Sequence, residues 1–181
     1  TIIILIIFKL IKINNLYIDL ELFSLFYSLI IIFILNLFNK LYSGDSGSYL
    51  LGFFFSFILI SLYNFNQNIS PYFIVLLLWY PGFENLFSII RKYKNKKSPL
   101  SPDKNHLHQL IFSFIKKSFN LKKYSANLIS ANLINIFNGG VFLLGSFFIS
   151  HTKVQIIIIL FNVLIYCLIY TLLIKHKSKI N

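Results

Sequence analysis

Long apolar runs separated by short polar connections set the plan of this chain. Hydrophobic windows near residues 22–39, 48–64, 71–90, 126–150 and 154–174 read as membrane spans, because roughly 20 helical residues cross the ~30 Å hydrocarbon core of a bilayer. Residues 1–13 look like the tail of a further apolar stretch, with Lys9 and Lys12 placed to snorkel at its exit. After residue 106 the periodicity changes. Leu107, Leu110, Ile111, Phe114 and Ile115 recur at helical spacing, followed by Lys116, Lys117, Lys122 and Lys123, which predicts an amphipathic helix in the membrane interface. Ser101 before Pro102 predicts the N-cap and first helical residue. The expected fold is all-α: a polytopic transmembrane helix bundle of about five spans, with a loop over residues 91–125 that carries the interfacial helix.

Composition agrees with the pattern. A chain that is 57% hydrophobic and 12% charged, with mean hydropathy +0.75, is too apolar for a soluble domain of this length. The net charge of +12 does not point to nucleic acid, since no soluble domain is present to carry such binding. Arg91 and most of the lysines fall in alternate connections, leaving only Lys9, Lys12 and Lys153 on the other side. The positive-inside rule then places Asp45, the 91–125 loop and the C-terminus on the cytoplasmic face. Residues 64–70 face outward, as do residues 14–21, whose Asp19 and Glu21 read as solvated loop carboxylates. The chain begins at Thr1 and has no methionine, so residues 1–181 are expected to be the C-terminal part of one longer multi-span domain. The start lacks the basic region and cleavage site of a signal peptide. The single cysteine, Cys167, cannot form an intrachain disulfide and reads as a small core residue.

Candidate chemistry sits where acids are scarce. Asp45 lies in Gly44-Asp45-Ser46-Gly47-Ser48, between two apolar runs. Read as a tight turn at the bilayer surface, it offers a hard oxygen and two hydroxyls to a metal or a phosphate. The loop Ser98-Pro99-Leu100-Ser101-Pro102-Asp103-Lys104-Asn105-His106-Leu107-His108-Gln109 holds two of the four histidines beside one of the five acids. In a regular helix His106 and His108 would point about 200° apart. Joint action therefore requires an extended stretch there, with the helix starting later; a capped surface helix bearing two incidental histidines is the competing reading. A zinc site is disfavoured for want of ligands. Glu84, after Pro81-Gly82-Phe83 inside an apolar run, is an intramembrane ionisable group and hence a site candidate; pairing with a basic residue such as Arg91, to fix helix packing, is equally open to it. The Pro81-Gly82 pair should break or kink its helix.

Together these residues resemble the polyprenyl-phosphate N-acetylhexosamine-1-phosphate transferase family, membrane enzymes of bacterial cell-wall and surface-polysaccharide synthesis. Lys40-Leu41-Tyr42-Ser43-Gly44-Asp45-Ser46-Gly47-Ser48 looks like its Gly-Asp-x-Gly-Ser segment, Pro81-Gly82-Phe83-Glu84 like its Pro-x-x-Asp, and the histidine loop like its Ser-Pro-Phe-x-x-Asp-x-x-His-x-His-His. Glu84 stands in place of the aspartate and Gln109 in place of the last histidine. The family's earlier Asp-Asp pair and Asn-x-x-Asp-Gly-x-Asp-Gly motif are absent, so this stretch alone is expected to be inactive.

The resemblance implies transfer of N-acetylhexosamine-1-phosphate from a UDP-sugar, commonly UDP-N-acetylglucosamine, to polyprenyl (undecaprenyl) phosphate, as the first step of lipid-linked glycan synthesis. It implies a multi-pass protein of the bacterial inner membrane, with its site on the cytoplasmic face and Mg²⁺, or Mn²⁺ in its place, held by Asp45. His106 and His108 are the other catalytic candidates, as donors to the donor phosphates; Ser46, Ser48, Asp103, Arg91 and Glu84 are substrate-binding candidates, with Asp103 orienting the loop through His106. A homodimer stays open. The rival readings are a phospho-muramoyl-pentapeptide transferase and a non-enzymatic transporter or scaffold, which would scatter ionisable groups near the midplane.

Overall fold

A computed structural model describes residues 24, 27–32, 34–36, 38, 40, 41, 44–65, 68–96, 98 and 105–180. Asp19, Glu21 and Asp103 lie outside these, as do the side chains of Asp45 and Ser48. The main helices are α1 (Gly44–Phe65), α2 (Pro71–Leu77), α3 (Trp79–Lys94), α4 (Leu107–Ser118), α5 (Lys123–Phe147) and α6 (Thr152–Ile180). Among the described residues there is no strand. The protein is an all-α membrane bundle, as the pattern predicts.

The spans differ in detail from the sequence expectation. Lys123–Phe147 and Thr152–Ser178 are each long and apolar enough to cross a membrane, and Tyr49–Ser61 is a shorter apolar stretch within α1. Residues 71–90, expected as one span, instead form α2 and α3 with a 71° bend between them. The cause is Pro81. It has no N–H for the Leu77 carbonyl and its ring crowds that carbonyl, so the helix stops at Leu77 and restarts where an N–H is not needed. Ser70 begins α2 in extended conformation and accepts from the Tyr72 N–H, with Pro71 at the first position.

Packing draws the bend against the long helices. Leu76, Trp79, Leu107, Leu110, Tyr166 and Tyr170 form one buried cluster, and Leu59, Ile69, Phe73 and Leu77 form another. The apolar stripe of α4 therefore faces protein: Leu107, Leu110 and Ile115 are buried and Ile111 packs against the first of these clusters. Gly145 of α5 permits the close approach of α2, since a Cβ there would run into Leu76 Cδ2. Outward residues such as Phe53, Phe57, Phe161, Leu164 and Leu168 are exposed, as lipid-facing positions should be.

Hydrogen bonds define the two ends of the bundle. At one, Arg91 Nη1 donates to Tyr170 Oη at 3.0 Å and Lys177 Nζ to Asn105 Oδ1 at 2.7 Å. At the other, Ser70 N donates to the Ile149 carbonyl at 2.9 Å, and the Ser70 and Thr152 hydroxyls are 2.9 Å apart. The basic loop and the end of α6 thus share one end, away from the 64–70 connection.

Candidate functional site

Glu84, Ser88 and Arg91 recur along one face of α3, opposite Tyr166 and Tyr170 one turn apart on α6. Glu84 is 7% exposed. A carboxylate there needs partners, and three converge on it. Its Oε1 accepts from the Leu107 N–H at 3.0 Å and lies 3.0 Å from His106 Nδ1, and its Oε2 accepts from the Tyr166 hydroxyl at 2.8 Å. Because a carboxylate accepts only, Nδ1 of His106 carries the hydrogen and Nε2 is left for another partner.

This geometry changes the expected start of the loop helix. α4 begins at Leu107, with His106 as N-cap in extended conformation (φ −67°, ψ 148°) and no side-chain cap of its own. Glu84 supplies the cap from 23 residues away in sequence, satisfying a first-turn N–H and placing negative charge at the positive end of the helix dipole. Ser101 is therefore not the N-cap of α4, nor Pro102 its first residue. The late start leaves the two histidines side by side: their rings stack at 5.6 Å between centroids and 17° between planes.

The remaining candidates divide. Arg91, an example of the basic partner that one reading gave Glu84, reaches Tyr170 and, at 3.4 Å, Ser88 Oγ, with its guanidinium over the Tyr170 ring at 5.3 Å. The carboxylate of Glu84 faces His106 Nδ1 instead, at 3.0 Å. Gly44 holds a left-handed turn (φ +59°) and helix α1 begins there, so Asp45 belongs to the first turn of a helix rather than to a tight turn, and Ser46 is exposed. Asp103, expected to orient His106, is outside the described residues; Glu84 occupies His106 Nδ1. Among the described residues no group of three His, Cys, Asp or Glu could hold a metal ion.

Sequence reasoning missed the α6 contribution. Two tyrosines a helical turn apart inside an apolar span, each with a hydroxyl needing a partner, were the available signal. It also missed a cleft of about 550 Å³ between α4 and α5, lined by His108, Gln109, Phe112, Lys123, Tyr124, Asn127, Ser130 and Ala131. Although His108 keeps an exposed edge, partial burial lowers its pKa from the ordinary 6.5; the charge of Glu84 opposes the shift and His106 adds to it.

Fold and site together define a helical membrane protein with a carboxylate–imidazole cluster at its basic end. The probable undecaprenyl-phosphate N-acetylglucosaminyl 1-phosphate transferase of Bacillus subtilis (strain 168) is 36% identical over 76 residues, covering 41% of this chain and 21% of that protein. The undecaprenyl-phosphate alpha-N-acetylglucosaminyl 1-phosphate transferase of Thermotoga maritima is 33% identical over 78 residues, 43% of this chain and 25% of that protein. The chain thus spans about a fifth to a quarter of the length of these curated relatives. No family model and no solved structure matches it. The similarity supports the resemblance carried by the motifs to the polyprenyl-phosphate N-acetylhexosamine-1-phosphate transferase family.

Proposed function

We propose that this chain is part of a phosphoglycosyl transferase of the bacterial cytoplasmic membrane, which moves N-acetylhexosamine-1-phosphate from a UDP-sugar to polyprenyl phosphate on the cytoplasmic side. The observation that carries the reading is the Glu84–His106 pair, with His108 stacked on it, at the bundle end that gathers Arg91 and Lys177. Both relatives are named for transfer of N-acetylglucosaminyl 1-phosphate to undecaprenyl phosphate.

In the proposed reaction a phosphate oxygen of the lipid attacks the β-phosphorus of the UDP-sugar. The bond from that phosphorus to the bridging oxygen breaks and UMP leaves with the electron pair, giving a polyprenyl-diphospho-sugar. Glu84 fixes the His106 ring through Nδ1, so its Nε2 edge is presented to substrate beside His108. His106 and His108 each offer a ring N–H to a phosphate oxygen. The basic residues of this end raise the local concentration of the anionic donor. Asp45 offers the hard oxygen that Mg²⁺, or Mn²⁺, prefers. When bound, the ion would screen the charge of the two phosphates. Asp103, Ser46 and Ser48 stay as substrate contacts in this reading.

The test is UMP release by the full-length protein from UDP-N-acetylglucosamine and a lipid phosphate. Asp45→Asn, His106→Ala and His108→Ala should each lower turnover at least about 100-fold, the scale of a lost acid–base or charge-stabilising group. Near-normal release by all three would remove these residues from the mechanism.

A further inference from the structure

We infer that the C-terminal end of α6 clamps the histidine loop, with Lys177 as a positioning residue that holds His106 in place through Asn105. The inference rests on the transferase reading above and adds to it a residue from the far end of the chain. Lys177 Nζ donates to Asn105 Oδ1 at 2.7 Å, and Asn105 immediately precedes His106.

One face of α6 runs along the whole site. Tyr166, Tyr170, Leu173, Ile174 and Lys177 fall at i, i+4, i+7, i+8 and i+11, a single stripe of a helix. Each level of the stripe meets a different part of the site. Tyr166 donates to Glu84 Oε2, Tyr170 accepts from Arg91 Nη1, Leu173 and Ile174 pack on the cluster that holds Leu107 and Leu110, and Lys177 reaches Asn105. Beside Lys177, the His176 ring stands edge-on to Phe114 of α4, 4.9 Å between centroids. At 29 residues α6 is about 43 Å long, so its last turns stand clear of a hydrocarbon core of roughly 30 Å. There the Lys177 side chain is half-buried against the loop rather than spread into water.

The loop needs such an anchor. His106 leads into α4 in extended conformation and Asn105 lies outside the helix, so neither has helical backbone to hold it. Glu84 fixes one point of the His106 ring, Nδ1; a single hydrogen bond sets a distance but not the direction in which the Nε2 edge points. Pinning the preceding residue removes that freedom. Glu84 and Lys177 thus grip consecutive residues from two different helices. A displacement of about 1 Å in a reacting geometry costs up to about 100-fold in rate, so a contact that only steadies His106 is legible in turnover.

The experiment follows UMP release from UDP-N-acetylglucosamine and a lipid phosphate by the full-length protein in its membrane, with thermal unfolding as the folding control. Lys177→Met and Asn105→Leu should each lower kcat about tenfold and leave the KM for the sugar nucleotide within about twofold. The double variant should be no slower than the slower single one, because both changes break the same contact. Lys177→Arg, which still donates, should bring kcat back to within about threefold of wild type. If Lys177→Met does not fold, Asn105→Asp carries the test: it keeps the acceptor and should turn over within about threefold of wild type where Asn105→Leu does not, and equal losses in the two overturn the clamp. A folded Lys177→Met with wild-type kcat also overturns it, as do additive losses in the double variant. A rise in KM alone does the same, since Lys177 would then act as a charge that attracts the donor. Each of these, beside an active wild type, leaves the transferase reading standing; a wild type that releases no UMP overturns both.

Discussion

Glu84 joins three parts of the chain through one carboxylate: the loop at His106, the first N–H of α4 and the phenol of Tyr166. Removing one donor is milder than removing the acceptor, because the acceptor leaves three groups unmatched. Tyr166→Phe should cost about 1.5–3 kcal/mol, the usual worth of a hydrogen bond to a charged group, whereas Glu84→Ala should cost about 3 kcal/mol or more. Unfolding in detergent micelles measures both, and the reverse order would remove Glu84 from the centre of the network. His108 sets a pH dependence. Its folded-state pKa lies below the ordinary 6.5, so as pH falls through that value the unfolded chain takes up a proton before the folded one does, and stability declines. His108→Gln should flatten this acid limb in unfolding scans taken between about pH 7 and pH 5. Glu84 and His106 beside it and Lys123 and Tyr124 across the cleft are the charged or titratable neighbours in play. From sequence, Glu84 and the histidine pair were legible as candidates because ionisable groups are rare in this chain. Their partner Tyr166 was not, since a tyrosine in an apolar span is equally at home facing lipid headgroups.

At the scale of elements, the period-3.6 stripe of α4 and the long apolar runs of α5 and α6 were readable because burial of an apolar face fixes them. The start of α4 was not, because its cap is a side chain 23 residues earlier and local sequence offered Ser101 instead. The proline signal gave a break, but only the structure turned it into a 71° bend that aims α3. Pro81→Ala would return an N–H to the Leu77 carbonyl and relieve the ring clash. The bend should then shrink, and Glu84 should draw away from His106. Spin labels at the exposed positions Tyr72 and Tyr93 read this as a longer distance in the variant; an unchanged distance would mean that packing, not Pro81, imposes the bend. Gly145 tests the other side of the same contact. A larger side chain there meets fully buried Leu76 and, nearby, Gln155 and Phe73, so Gly145→Val should destabilise by about 1–3 kcal/mol in micelle unfolding, as overpacking does.

For the whole molecule, the disposition of charge and the hydrogen bonds across the bundle support the same two-ended plan. Arg91 and Lys177 tie the basic loop to the end of α6, while Ser70 ties the 64–70 connection to Ile149 and Thr152. Asp45 has to reach the first of these ends if it shares a site with His106. Leu59, in the C-terminal third of α1, packs with Ile69, Phe73 and partly buried Ile149, near the second end. From Leu59 back to Gly44, α1 runs about 20 Å at 1.5 Å per residue, enough to carry Asp45 most of the way across the hydrocarbon. Single cysteines decide the matter. In a Cys167→Ala background, Ser46→Cys, Lys96→Cys and Asn68→Cys each place one thiol at an exposed position. A membrane-impermeant maleimide applied to right-side-out and inverted vesicles should label positions 46 and 96 from the same side and position 68 from the other. Were position 46 to react together with position 68 instead, Asp45 would sit across the bilayer from the imidazoles, and no arrangement of the loop could bring its carboxylate to the phosphates they contact.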